Sequence, residues 1–233
     1  MKILYEDKYL LVVNKPAGLI VQGAKEKEES LLYRLKEYLK ERDKKEGNPF
    51  LAVVHRLDKP VTGALLFAKR SKTAGKLFNI IQEKKFEKVY LAMVEGAFKE
   101  DFGMWIDATE EGKRAITFFF LLKHMGRTSL LLLYPFTGRK HQLRKALSFR
   151  GYPIVGDIRY GSKIRVDAGR AILLHSLYLR LPHPHREETL EILAYPPHYF
   201  GKFSLDKSSI LEFLKNVKKE VEGVLTCVRQ ESG

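Results

Sequence analysis

The sequence predicts an α+β fold: a central mixed, mainly antiparallel sheet with flanking helices. Three observations predict it. Strand patterns come in runs, with few helical patterns between them. The segments LAVV and ALLFAK are apolar on both faces, as central strands are. No G-x-G-x-x-G and no Walker loop occurs, so a dinucleotide-binding or nucleotide-hydrolysing fold lacks its phosphate cradle.

The elements follow in order. ILYED and YLLVVNKPAGLIV read as short strands, with Pro16 and Gly18 as the break. Residues 24–29 form a charged linker. Ser30 opens a helix with Leu31, Leu32, Leu35, Tyr38 and Leu39 on one face, ended by Gly47, Asn48 and Pro49. After the strands LAVV and ALLFAK, Ser71 is the expected N-cap of a helix to about Glu83. KVYLAMVEG alternates as a strand. RAITFFFLL and TSLLLLYP form an antiparallel pair turning at Gly126. Thr137 is the expected cap of a helix to Phe149, stopped by Gly151. AILLHSLYLRL and TLEILAYP make a hairpin across HPHREE, and a last helix runs from about Asp206 to Val221. No repeat or composition break divides the chain, so residues 1–233 are expected to form one domain.

Charge narrows the function. Among 233 residues, 42 Lys and Arg stand against 28 Asp and Glu, a formal net charge of +14. The whole excess lies in two stretches: residues 55–90 carry +6 and residues 137–180 carry +8. Charge that merely solubilises need not be so uneven, and an anionic partner, RNA or DNA, is expected. A single cysteine, Cys227, rules out a disulfide framework and a multi-thiolate zinc site. The histidines show no ligand spacing, so no metal is expected. Charges interrupt the N-terminus where a signal peptide would be apolar, and ITFFFLL falls far short of the roughly 18 residues of a membrane span. A cytoplasmic protein without membrane association is expected.

Three segments could carry chemistry. VVHRLDKPVTGALLFAKR is a polar island between apolar strands. Its ordinary reading is a turn. If it continues extended from the strand, Arg56 and Asp58 share a face, and a carboxylate sits beside an obligatory cation. In KVYLAMVEG, Val89, Leu91 and Met93 face the core, and Tyr90 shares the other face with Lys88 and Ala92. Tyr90 is either a packed tyrosine or a platform on which a base stacks. In TGRKHQLR, a Thr-Gly entry and a helix starting near Arg139 would aim free N–H groups and the cations Arg139 and Lys140 at one point, an anion site. Arg144 would lie one turn beyond Lys140 on the same face. The plain alternative is a basic surface helix.

Taken together, these segments resemble the RluA-type pseudouridine synthases, whose central motif runs H-R-L-D, then Thr/Ser-Gly and an apolar strand. VVHRLDKPVTGALLFAK carries that motif, and KVYLAMVEG, TGRKHQLR, GYPIVGDIRYG and AILLHSLYLRLPHP are similar to later ones, in the same order. The likeness spans about residues 3–200. It implies a catalytic domain whose sheet is split by an RNA-binding cleft, without the S4-type domain of many relatives. It also implies roles: Asp58 as the essential carboxylate, Arg144 as its partner, Tyr90 against the target base, and Arg56 in displacing or contacting the target nucleotide. Arg139, Lys140 and His141 are expected to bind RNA. Thr62 stands where relatives more often have Ser, and Lys145-Ala146 follows H-Q-L-R where x-His is frequent.

The implied reaction breaks N1–C1′ of a uridine, turns the base and rejoins it through C5. It needs no redox cofactor and no metal-activated water. One ionised Asp serves as nucleophile toward sugar or base, or as base toward the C2′ hydrogen; all three routes are open. A carboxylate in a dry pocket tends to become neutral, and a guanidinium within reach opposes that, typically by ~1–3 pKa units. The target base must leave its stack, at a few kcal/mol. The expected protein is a monomeric isomerase acting on ribosomal or transfer RNA. A non-catalytic RNA-binding or ribosome-assembly module fits the charge as well. A nucleoside hydrolase would want two carboxylates; Asp157 is the other one in the basic motifs, with turn formation its expected role.

Overall fold

The computed structural model describes residues 2–23, 29–44, 47–201 and 207–230, the last eight by backbone alone. The expected linker at 24–29 falls outside it except for Glu29. Alternating and all-apolar runs become ten strands of one sheet: β1 (Lys2–Glu6), β2 (Leu10–Lys15), β3 (Ala52–Val53), β4 (Thr62–Ala68), β5 (Glu87–Glu95), β6 (Phe102–Ala108), β7 (Arg114–Met125), β8 (Thr128–Pro135), β9 (Leu174–Pro182) and β10 (Thr189–Leu193). The strand order is β1-β2-β4-β9-β5-β8-β7-β6, with β3 beside β4 and β10 beside β9. β4 and β9 pair in parallel and every other pairing is antiparallel. The mixed, mainly antiparallel expectation therefore holds.

Four helices flank the sheet: α1 (Leu31–Asp43), α2 (Ser71–Gln82), α3 (Gln142–Phe149) and α4 (Lys207–Gln230). Alternation along β2 sends Leu11 and Val13 into a large core with α1 and α4, and Leu10 and Val12 into a smaller one with α2. Ser30 caps α1 as expected, its Oγ accepting from Tyr33 N–H at 3.2 Å. Four expectations need correction. Ser71 is the first residue of α2 and not its cap; extended Arg70 precedes it. The third helix starts at Gln142, because His141 takes a left-handed φ of 54° that no helix continues through. α4 runs nine residues past Val221. β6 had no counterpart in the sequence reading. Within KVYLAMVEG, Val89–Val94 are buried on both faces, all six side chains joining the large core.

One feature of the sheet positions the site. β4 and β9 are joined by two residue pairs alone, Thr62↔His175 and Gly63↔Ser176, and this short seam links the N-terminal strands to the rest. Gly63 has φ +118°, and a Cβ there would meet Ser176 O at 2.3 Å. Only glycine lets the strands close at this point. Gly63→Ala is expected to lower stability by roughly 2–4 kcal/mol, from backbone strain plus overpacking. Urea denaturation checks it, and a loss below about 0.5 kcal/mol would contradict the close approach.

Candidate active site

A cleft of about 740 Å³ opens beside the seam. Arg56, Lys59, Lys88, Arg139, Lys140 and Arg144 line it, against one lining carboxylate, Asp58. Three of these cations come from each of the two basic stretches of the sequence.

Asp58 sits in the loop between β3 and β4, which turns back where Val61 N–H donates to Asp58 O at 3.0 Å. The loop is pinned from below. Lys15, wholly buried at the end of β2, donates from Nζ to Pro16 O, Leu19 O and Lys59 O at 2.8, 2.8 and 3.1 Å. Gly18 N–H also donates to Lys59 O, at 2.9 Å. Burial pushes the Lys15 ammonium down to about 7, against the field of Asp58.

Arg144, in the first turn of α3, reaches the same carboxylate. Its Nη1 donates to Asp58 Oδ2 at 2.8 Å. Its other edge is held by Asp157: Nε to Oδ2 at 2.7 Å and Nη2 to Oδ1 at 2.8 Å, the fork geometry of a bidentate pair. The Tyr160 ring lies 4.8 Å from the guanidinium carbon. Arg144 and Asp157 are both buried, 6% and 2% exposed. Burial works against the charge on Arg144, but the bonds to Asp157 and Asp58 outweigh it and hold its pKa above the ordinary value. His141 Nε2 stands 3.5 Å from the same Asp58 Oδ2, and its Nδ1 meets Tyr160 Oη at 2.8 Å. Burial lowers the His141 pKa despite Asp58. Both contacts fall on Oδ2, so Oδ1 of Asp58 has no donor among the described residues.

Tyr90 projects into the same cleft from mid-β5. Burial, then the charge of Asp58, raises its phenol well above the ordinary range, so it stays a neutral hydroxyl. The structure thus gathers Asp58, Tyr90, Arg144, Arg56, Arg139, Lys140 and His141 around one cleft. Some details differ from expectation. β3 ends at Val53, so Arg56 and Asp58 do not share a strand face; the cation that meets Asp58 is Arg144, the partner the family likeness implies. Arg56 is exposed, with no ion pair among the described residues. Lys140 precedes the helix and shares no helical face with Arg144. The anion site expected at that helix start is not formed as drawn, because Gln142 Oε1 takes the Arg139 N–H at 3.0 Å.

Sequence reasoning missed Asp157, Tyr160, Gln142 and Lys15. Asp157 and Tyr160 lie in GDIRYG, and Lys15 lies in NKPAG. Gln142 ties α3 to β7 through Nε2, which donates to Ile116 O and Thr117 Oγ1 at 2.9 Å each. Among the described residues, no three His, Cys, Asp or Glu side chains gather as metal ligands. No described helix is long and apolar enough to cross a membrane.

Two histidines lie against β4, His175 buried and His55 half-buried. His175 bonds Thr62 Oγ1 and Ala194 O at 2.7 and 3.0 Å, and His55 Nε2 accepts from Leu66 N–H at 3.0 Å. Burial lowers His55 to about 3 and His175 to about 4. Both values lie below that of the unfolded chain, so from about pH 6.5 down to 4 the unfolded state binds protons that the folded state refuses. Stability is expected to fall as pH falls through that window, by up to about 1.4 kcal/mol per pH unit for each histidine. Denaturation at pH 7 and pH 5 checks this. His175→Gln should show a shallower loss than wild type; an equal slope would refute the neutral, buried His175.

Solved structures of similar proteins share this fold. The family profile described as RNA pseudouridylate synthase matches residues 9–149. The ribosomal large subunit pseudouridine synthase C of Buchnera aphidicola subsp. Schizaphis graminum is 32% identical over 223 residues, covering 86% of this chain and 69% of that protein. The ribosomal large subunit pseudouridine synthase D of Borreliella burgdorferi is 35% identical over 201 residues, covering 77% of this chain and 60% of that one. The chain thus spans about 60–69% of the length of these two relatives. Among solved structures, Human RNA Pseudouridylate Synthase Domain Containing 4 superposes with a TM-score of 0.71 at 26% identity, over 85% of this chain and 89% of that one. Human RNA Pseudouridylate Synthase Domain Containing 1 gives 0.69 at 25% identity, over 91% and 94%.

Proposed function

Because the chain belongs to the RNA pseudouridylate synthase family, and so isomerises uridine to pseudouridine in RNA, we propose that Asp58 is its reacting carboxylate and a structured ribosomal RNA its substrate. The observation that carries this reading is the Asp58–Arg144 contact of 2.8 Å inside a cationic cleft, with Oδ1 meeting no donor among the described residues. RNA binding alone needs no carboxylate held by a buried guanidinium. In this reading a uridine flips into the cleft, and Oδ1 meets its sugar or base. The N1–C1′ bond breaks, the uracil turns, C5 bonds to C1′, the C5 proton leaves and N1 takes up a proton. Arg144 holds and orients Asp58. Tyr90 packs on the extruded ring, and Arg56, exposed and without an ion pair among the described residues, fills the vacated stack. Arg139 and Lys140 hold phosphates, and His141 contacts the RNA next to Asp58. The choice of large-subunit ribosomal RNA follows the names of the relatives. A monomer working in the cytoplasm as a single catalytic domain completes the proposal.

The test incubates purified protein with large-subunit ribosomal RNA transcripts and with transfer RNA transcripts, then maps pseudouridine by chemical adduct and primer stops. A protein-dependent stop at a ribosomal uridine is expected. Stops confined to transfer RNA would overturn the substrate, and none in either would overturn the activity.

A further inference from the structure

One wall of the cleft holds groups that neither Asp58 nor Arg144 uses. β5 carries Lys88 two residues before Tyr90, hence on the same face and about 7 Å along the strand. Lys88 Nζ lies 5.5 Å from the centre of the Phe86 ring. The His55 ring stands edge-on to the same phenyl, centroids 5.0 Å apart at 78°. His55 and Lys88 both line the cleft.

Neither group is satisfied. His55 Nε2 accepts from Leu66 N–H, so the neutral ring carries its proton on Nδ1. That buried N–H has no partner among the described residues. Lys88 makes no hydrogen bond or ion pair among them either. Its neighbour Glu87 is engaged elsewhere, by Arg180 at 3.0 Å and Lys218 at 3.2 Å. Burial, with Lys84 nearby, brings the Lys88 ammonium down to about 8, as expected for a desolvated cation without a counter-charge. A half-buried cation left without a partner on the cleft wall calls for an anionic acceptor, whereas the His55 Nδ1–H is closed off from the cleft.

We propose that Lys88, beside the Phe86 ring on the strand face that carries Tyr90, forms a phosphate subsite that holds an RNA backbone phosphodiester attached to the target uridine. The inference rests on the proposed RNA substrate and deepens it. A base against Tyr90 has its own phosphates within a nucleotide's reach along β5. A phosphate oxygen then accepts from Lys88 Nζ, and the otherwise unpartnered ammonium is satisfied on binding.

The probes are uridine, uridine 3′-monophosphate, uridine 5′-monophosphate and uridine 3′,5′-bisphosphate, with affinities measured by NMR titration. Wild type is expected to bind at least one phosphorylated form about tenfold more tightly than uridine, the value of one charge-assisted contact. Lys88→Gln should lose that preference and Lys88→Arg should keep it. Lys40→Gln, on an exposed face of α1, should leave it unchanged. Thermal melting of each variant confirms the fold. A preference that survives in Lys88→Gln overturns the subsite, as does its absence from wild type. The enzymatic reading fails separately: wild type would then prefer the phosphorylated ligand and yet form no pseudouridine in RNA.

Discussion

Replacing Asp58 by Asn is expected to reduce pseudouridine formation by at least about 10³-fold, while RNA binding and stability stay close to wild type. Loss of a group that acts only in the transition state falls on the chemical step, not on binding. The fold tolerates the change for local reasons. The Asp58 side chain is 32% exposed, and the Asn carbonyl still accepts from Arg144 Nη1. Asp157 continues to hold the other edge of that guanidinium. A stability change within about 1 kcal/mol is expected on this account. Single-turnover assays on the same RNA, with a melting curve and a dissociation constant beside them, separate the three quantities. A variant within tenfold of the wild-type rate would show that Asp58 is not the reacting carboxylate.

Asp157→Ala is expected to be the most damaging single change to the fold near the site. It leaves a buried guanidinium with one partner where it had two, and breaking such a pair costs about 3–5 kcal/mol. Activity should fall as well in the molecules that remain folded, because Arg144 is no longer held in the orientation that meets Asp58. Removing both charges together separates the two effects. Arg144→Met with Asp157→Leu should recover much of the stability, since an apolar pair can replace a buried ion pair, yet should not recover activity. Urea denaturation of the single and double variants is the measurement. A single variant within 1 kcal/mol of wild type would contradict the buried, bidentate pair.

The strands were largely legible because alternation is a direct record of burial. β6 escaped because FGMWIDA is short and begins with Phe102–Gly103 after a polar run. Gly103 is small because the Phe119 ring lies over it, with a Cβ there meeting that ring at 2.6 Å. Such a contact between strands leaves no trace in local periodicity. The start of α3 was misplaced for a similar reason. Thr137-Gly138 has the chemistry of a cap, but Thr137 Oγ1 donates to Gln142 Oε1 at 2.8 Å and serves the Gln142 bridge to β7. The link between Asp58 and Arg144 came from the family likeness together with the electrostatic need of a desolvated carboxylate. The second acid of that ion-pair chain did not. Asp157 does form the expected turn, its carbonyl accepting from Tyr160 N–H at 2.9 Å. Its side chain has a second task that a turn residue does not announce. The charge pattern carried furthest, since both basic stretches meet in one cleft.

The seam between β4 and β9 has one more consequence. On one side of it lie β1 to β4, all drawn from residues 2–68; on the other lie β5 to β10, all drawn from residues 87–193. Asp58 belongs to the first stretch, and Tyr90, Arg144 and Asp157 to the second. The Asp58–Arg144 contact therefore spans 86 positions and closes only when the two stretches have come together. On the role proposed for Asp58, catalytic competence is a property of the junction, and it counts only molecules in which the junction has formed.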